Sequence, residues 1–156
     1  MDSSNKILRY TLLAIRIVLG GIFIYAGWVK LREPWELFAL AINSYKILPL
    51  GAVELVARTL PWFEVLLGLW LISGLWLRIS AAISTVQMLI FLAAVTDAYA
   101  KGLQISCGCF SNSEPISWLT LLRDGSMLAA AVFLLVMAWR RKRPAPAETR
   151  QPVEAA

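Results

Sequence analysis

The chain has 156 residues, of which 59% are hydrophobic and only 16% charged, with a formal net charge of +5. Soluble domains carry about 25% charged residues, and here the apolar residues gather into long runs, which excludes an ordinary water-soluble fold and points to an integral membrane protein. The chain has no histidine, which excludes His-based catalytic triads and His-ligated zinc sites.

Crossing about 30 Å of hydrocarbon takes roughly 20 residues of helix, and four segments reach that length. The first is YTLLAIRIVLGGIFIYAGWV, residues 10–29. Arg16 interrupts its apolar core and no small-x-small cleavage site follows cleanly, so it reads as a retained span rather than a cleaved signal. Residues 34–45, PWELFALAINSY, open with proline and mix apolar and polar positions at helical spacing. They suit a short helix lying in the membrane interface. The second span covers residues 51–77 with Pro61 inside it, the third 79–100 and the fourth 116–139. The expected fold is therefore all-α: a four-helix transmembrane bundle over residues 1–139, with the short interfacial helix between spans one and two. Residues 140–156 form a basic, then disordered, tail, since RRKR is followed by a Pro- and Ala-rich stretch. Trp28, Trp35, Trp62 and Trp118 read as interfacial anchors.

Orientation follows from Lys and Arg in the short loops. With both termini cytoplasmic, the inner surface carries Lys6, Arg9, Arg78 and the RRKR run at 140–143, and the outer one only Lys30, Arg32, Lys46 and Lys101. The expected location is a bacterial cytoplasmic membrane, with the loop between spans three and four facing the periplasm. The basic balance reads as this orientation signal, not as a nucleic-acid footprint. No phosphate-cradling glycine loop is present.

That outward loop, LQISCGCFSNSEP at 103–115, holds the only two cysteines of the chain. A Cys107–Cys109 disulfide needs a bend, which Gly108 permits because glycine tolerates positive φ. As a staple it is poor: loop entropy gives about 1.6 kcal/mol for a three-residue loop, against about 3 for fifteen. Strained, exposed disulfides are more oxidising and exchange more readily, so Cys107 and Cys109 are the candidate catalytic pair of a thiol-disulfide oxidoreductase. Two alternatives stay open: free thiols without a role, and soft ligands in thiophilic-metal transport. Two sulfurs alone make an incomplete metal site, and no metal is expected. With no second cysteine pair, electrons must pass to a thioredoxin-fold partner or to a membrane quinone; no bound cofactor is required.

Seven ionisable residues fall within the spans: Arg16, Glu54, Arg58, Glu64, Asp97, Arg123 and Asp124. Intramembrane charges are costly and pair inside the bundle. Counting 1.5 Å per residue from the outward ends places Arg16 and Glu64 both roughly 20 Å deep, so they are expected to pair. Arg58, Arg123 and Asp124 fall roughly 10–12 Å deep. Adjacent helical residues do not face each other, so Asp124 is expected to pair with Arg58 and not with Arg123. Glu54 and Asp97 are shallow, and Glu54 is placed to bind Arg58 one turn on, or Lys30. Together with Lys101 this outer group is expected to surround the cysteine loop, lowering thiol pKa and carrying protons.

The segments RIVLGGIFIYAGWVKL, LPWFEVLLG at 60–68, KGLQISCGCF at 101–110 and LLRD at 121–124 resemble the MauE/DoxX family of redox-associated membrane proteins. The resemblance implies a four-helix membrane bundle and carries over to Arg16, Lys30, Pro61, Glu64, Cys107, Cys109, Arg123 and Asp124. Family members often continue CGCF with glycine, where this chain has Ser111. The MauE branch implies maturation of methylamine dehydrogenase beside a thioredoxin-like partner, MauD. DoxX relatives imply an alternative: a non-enzymatic subunit or scaffold of a quinol-oxidase or electron-transfer complex.

Overall fold

A computed structural model of the chain describes residues 2–102 and 117–140. They form five helices: α1 (Asp2–Arg32), α2 (Trp35–Ser44), α3 (Leu50–Ser73), α4 (Leu77–Ala100) and α5 (Trp118–Arg140), with no strand among the described residues. Four are long and apolar enough to cross a membrane: Lys6–Arg32 of α1, and the whole of α3, α4 and α5. The protein is an all-α, multi-pass membrane bundle in contact with the bilayer. Cys107, Gly108, Cys109 and the tail after Arg140 lie outside the described residues.

Prolines and one glycine set the helix ends. Pro34 and Pro49 stand just before α2 and α3 with non-helical ψ of 129° and 152°, and each ring also disfavours a helical conformation in the residue before it, so no helix runs through these positions. Gly74 takes φ +72° and donates its N–H to the Trp70 carbonyl, a left-handed stop that glycine supplies without strain. The helix therefore ends at Ser73, short of the Leu77 boundary expected from the apolar run. Leu75 and Trp76 are apolar enough to extend a span by composition, yet they form the turn into α4.

The bundle is built from two closely packed pairs, α1 with α3 and α4 with α5, and α2 lies against α3. Close approach of α1 and α3 depends on glycine. A Cβ on Gly27 would sit 2.6 Å from the Pro61 carbonyl oxygen, and one on Gly68 would sit 2.6 Å from that of Gly20. Small residues at such a seam let backbones touch, the main source of attraction between helices in lipid. Gly21, one residue from Gly20, faces open space. On the α4–α5 side Ala81, Ser84 and Ala131 are fully buried. Phe23, Leu19, Leu67, Leu71 and Leu134 fill the core between the pairs. The outer faces are apolar, with Val18, Leu55, Leu66 and Val86 each more than half exposed, as lipid-facing residues are.

Two arginines close helix ends on the same side of the bundle. Arg16 donates from Nε to the Leu71 carbonyl (3.1 Å) and from Nη2 to that of Ile72 (3.0 Å). Arg78 donates from Nε to the Ala138 carbonyl (3.0 Å) and lies against the Trp139 ring. These carbonyls have no partner inside their own helices, and cations at a helix C-terminus also suit its dipole.

Candidate functional site

Lys30, in the last turn of α1, and Glu64, in the middle of α3, are both buried and face each other. Lys30 Nζ stands 2.8 Å from both carboxylate oxygens, and each side chain is 7% exposed. Side chains lean toward the N-terminus of their own helix. In the antiparallel α1–α3 pair Lys30 and Glu64 therefore lean toward each other across the Gly27–Pro61 contact. The ammonium also lies 5.3 Å from the centre of the Phe38 ring on α2, a cation–π distance. From α4, Gln87 donates Nε2 to Glu64 Oε1 at 3.4 Å. Its own Oε1 is buried without a hydrogen-bond partner among the described residues.

This arrangement corrects the expected Arg16–Glu64 pair. That pairing assumed that the outward ends of the first two spans are level. The Gly20–Gly68 and Gly27–Pro61 contacts set a register about eight residues further along, or roughly 12 Å. The shift carries Arg16 to the carboxyl end of α3 and brings Lys30 within reach of Glu64.

The expected Arg58–Asp124 pair is also corrected. Arg58 Nη2 binds Glu54 Oε1 at 2.7 Å one turn back, and its guanidinium lies 4.2 Å from the centre of the Trp35 ring. Both members of that ion pair are more than half exposed, so Arg58 has turned outward. The Glu54–Arg58 contact is the one the spacing made available, while Lys30 is taken by Glu64 instead. Asp124 accepts from Arg123 Nε at 3.1 Å, contrary to the expectation that neighbours on a helix face apart. A long guanidinium stem can double back over one residue, which shorter side chains cannot. Asp97 is bound by Lys101 at 2.6 Å on the surface of α4.

Asp124 is itself buried, on α5, and its charge acts on Tyr45 at the end of α2. The Tyr45 phenol is pushed up to about 12, first by burial and second by the Asp124 carboxylate. It therefore stays protonated, and a hydrogen-bond donor, throughout the physiological range.

The Lys30–Glu64–Gln87 cluster and the Tyr45–Asp124 group line one cavity of about 660 Å³ between the helices. Its remaining wall is apolar, with Phe23, Phe38, Phe63 and Phe91 contributing rings. The sequence reading missed Gln87, Tyr45 and the cavity. One signal was available for the glutamine: an amide immediately before the apolar run MLIFLAAV, inside a membrane span, must find partners inside a bundle. Among the described residues no group of three or more His, Cys, Asp or Glu is placed to hold a metal ion.

Fold and site together define a multi-pass α-helical membrane protein with a buried lysine–carboxylate–amide cluster opening onto an apolar cavity. A family model described as methylamine utilisation protein MauE matches residues 8–137, and the chain belongs to that family. It is 33% identical over 122 residues to methylamine utilization protein MauE of Paracoccus denitrificans, covering 76% of this chain and 65% of that protein. With the MauE of Methylorubrum extorquens it shares 29% identity over 113 residues, covering 70% of this chain and 59% of the relative. The chain thus spans less than two thirds of the length of either relative. No solved structure matches it. The cluster, the cavity and both cysteines fall within the matched segment.

Proposed function

We propose that this protein is a membrane-embedded accessory factor of methylamine utilisation whose Cys107–Cys109 pair exchanges disulfides with a thioredoxin-fold partner. The exchange takes place at the periplasmic face of a bacterial cytoplasmic membrane and supports maturation of an exported redox enzyme of the methylamine dehydrogenase kind. The observation that carries this reading is the placement of the only two cysteines, one glycine apart, between α4 and α5 within the MauE-matching segment. Lys6, Arg9 and Arg78 on the opposite side from that loop support the orientation.

In the exchange, a partner thiolate attacks one sulfur of the Cys107–Cys109 disulfide. The bond breaks, the other cysteine leaves as a thiolate, and a mixed disulfide joins the two proteins. The partner's second thiolate then attacks its own bridged sulfur, releasing this chain as the dithiol and the partner as the disulfide. The reverse sequence delivers a disulfide in the other direction, so the same pair serves either direction of electron flow.

A single-cysteine variant tests this directly. Cys107→Ser or Cys109→Ser, expressed with a thioredoxin-fold partner in its disulfide form, is expected to accumulate a reductant-sensitive covalent complex, because the remaining thiolate opens the partner's disulfide and this chain has no second thiol to release it. The double variant should form none, and enzyme maturation should fail in it. Normal maturation in the double variant would replace this reading with that of a membrane scaffold.

A further inference from the structure

We infer that the cavity walled by α1–α5 binds a membrane-soluble ligand that presents a hydroxyl on a flat ring, the chemistry of a quinol. The inference does not rest on the cysteine chemistry proposed above. It rests on one unanswered hydrogen-bond acceptor and on what surrounds it.

The orientation of the Gln87 amide follows from its neighbour. A carboxylate bridged by an ammonium only accepts hydrogen bonds, so the NH2 group of Gln87 must face Glu64. That leaves Oε1 buried and unanswered, a costly condition in a native core. Beside it, Lys30 uses two of its three N–H bonds on the Glu64 oxygens, leaving a third donor. An acceptor next to a donor matches one hydroxyl group, which gives a hydrogen bond to Gln87 Oε1 and takes one from Lys30 Nζ.

Charge and shape narrow the class further. Lys30 and Glu64 cancel, and Asp124 is bound to Arg123, so the lining has no excess positive charge to hold a phosphate headgroup. An acyl chain offers no donor to Gln87. The volume of about 660 Å³ falls in the range of small-molecule sites, which are mostly apolar with a few placed polar groups. Phenylalanine rings on α1, α2, α3 and α4 suit a planar ring.

The test uses the purified full chain in detergent micelles with a short-chain ubiquinol as probe, its oxidised quinone and a phospholipid as comparisons. Binding is read by quenching of tryptophan fluorescence and by the thermal midpoint. Ubiquinol is expected to saturate and to raise the midpoint. The quinone, which cannot donate to Gln87, should bind more weakly. Gln87→Leu removes the orphan acceptor and should fold at least as well as the native chain, yet weaken ubiquinol binding about tenfold, the loss of one good hydrogen bond. Ala94→Phe, which fills the cavity from α4, should abolish binding. Equal binding by the native chain and both variants, or equal effects of ubiquinol and phospholipid, would overturn the assignment.

Discussion

Glu64→Leu is expected to stop the bundle from assembling stably, and adding Lys30→Met is expected to restore much of what is lost. The single change leaves an ammonium in a site where its side chain is 7% exposed, with only the Phe38 ring and a neutral amide for company. Removing one partner of a buried pair costs about 3–5 kcal/mol, a large share of the roughly 5–15 kcal/mol that holds a protein folded. The double variant has no unpaired charge and keeps comparable volume. Apolar replacement of a whole buried pair is often neutral or better. Thermal unfolding in detergent, followed by tryptophan fluorescence, separates the cases. A Glu64→Leu protein as stable as the native chain would mean that the carboxylate is not the counter-ion of Lys30.

Gly68→Leu should separate α1 from α3, whereas Gly21→Leu should be tolerated. Any Cβ at position 68 meets backbone, the Gly20 carbonyl oxygen at 2.6 Å, as well as the Ile24 side chain at 2.7 Å. Neither side can yield without moving a helix axis. Overpacking a core costs about 1–3 kcal/mol or more. The effect here extends further, because the same seam holds Lys30 against Glu64. The Gly21 position has nothing within 4 Å, and a helical glycine exchanged for alanine gains about 0.5–1 kcal/mol. Gly68→Ala should therefore lower the unfolding midpoint and Gly21→Ala should not. Equal effects at the two positions would contradict the close α1–α3 packing.

What the sequence revealed of this architecture follows from which forces are local. Four spans were legible because hydrocarbon thickness fixes how many apolar residues a helix needs, and α1, α3, α4 and α5 all meet it. The Glu54–Arg58 contact was legible because its partners lie one turn apart on a single helix. Register between helices was not. Arg16 and Lys30 are both cations on α1, and which of them reaches Glu64 depends on where Gly20 and Gly27 settle against α3. Hydropathy sees those glycines only as weakly apolar. The end of α3 was obscured for a related reason: Gly74 stops the helix through a backbone angle, while Leu75 and Trp76 keep the apolar signal running past it. Gln87 was passed over because it carries no charge, yet its cost inside the bundle comes from hydrogen bonding. Arg123 and Asp124 show a general spacing rule giving way to the reach of one long side chain.

The functional proposal turns on the exposure and redox state of Cys107 and Cys109, and thiol labelling of intact cells reads both together. A maleimide that cannot cross the bilayer, applied to unbroken cells, should leave the chain unmodified before reduction and modify both cysteines after a mild reductant. Labelling that requires the membrane to be breached, or that fails in both oxidation states, would contradict a periplasm-facing exchangeable disulfide.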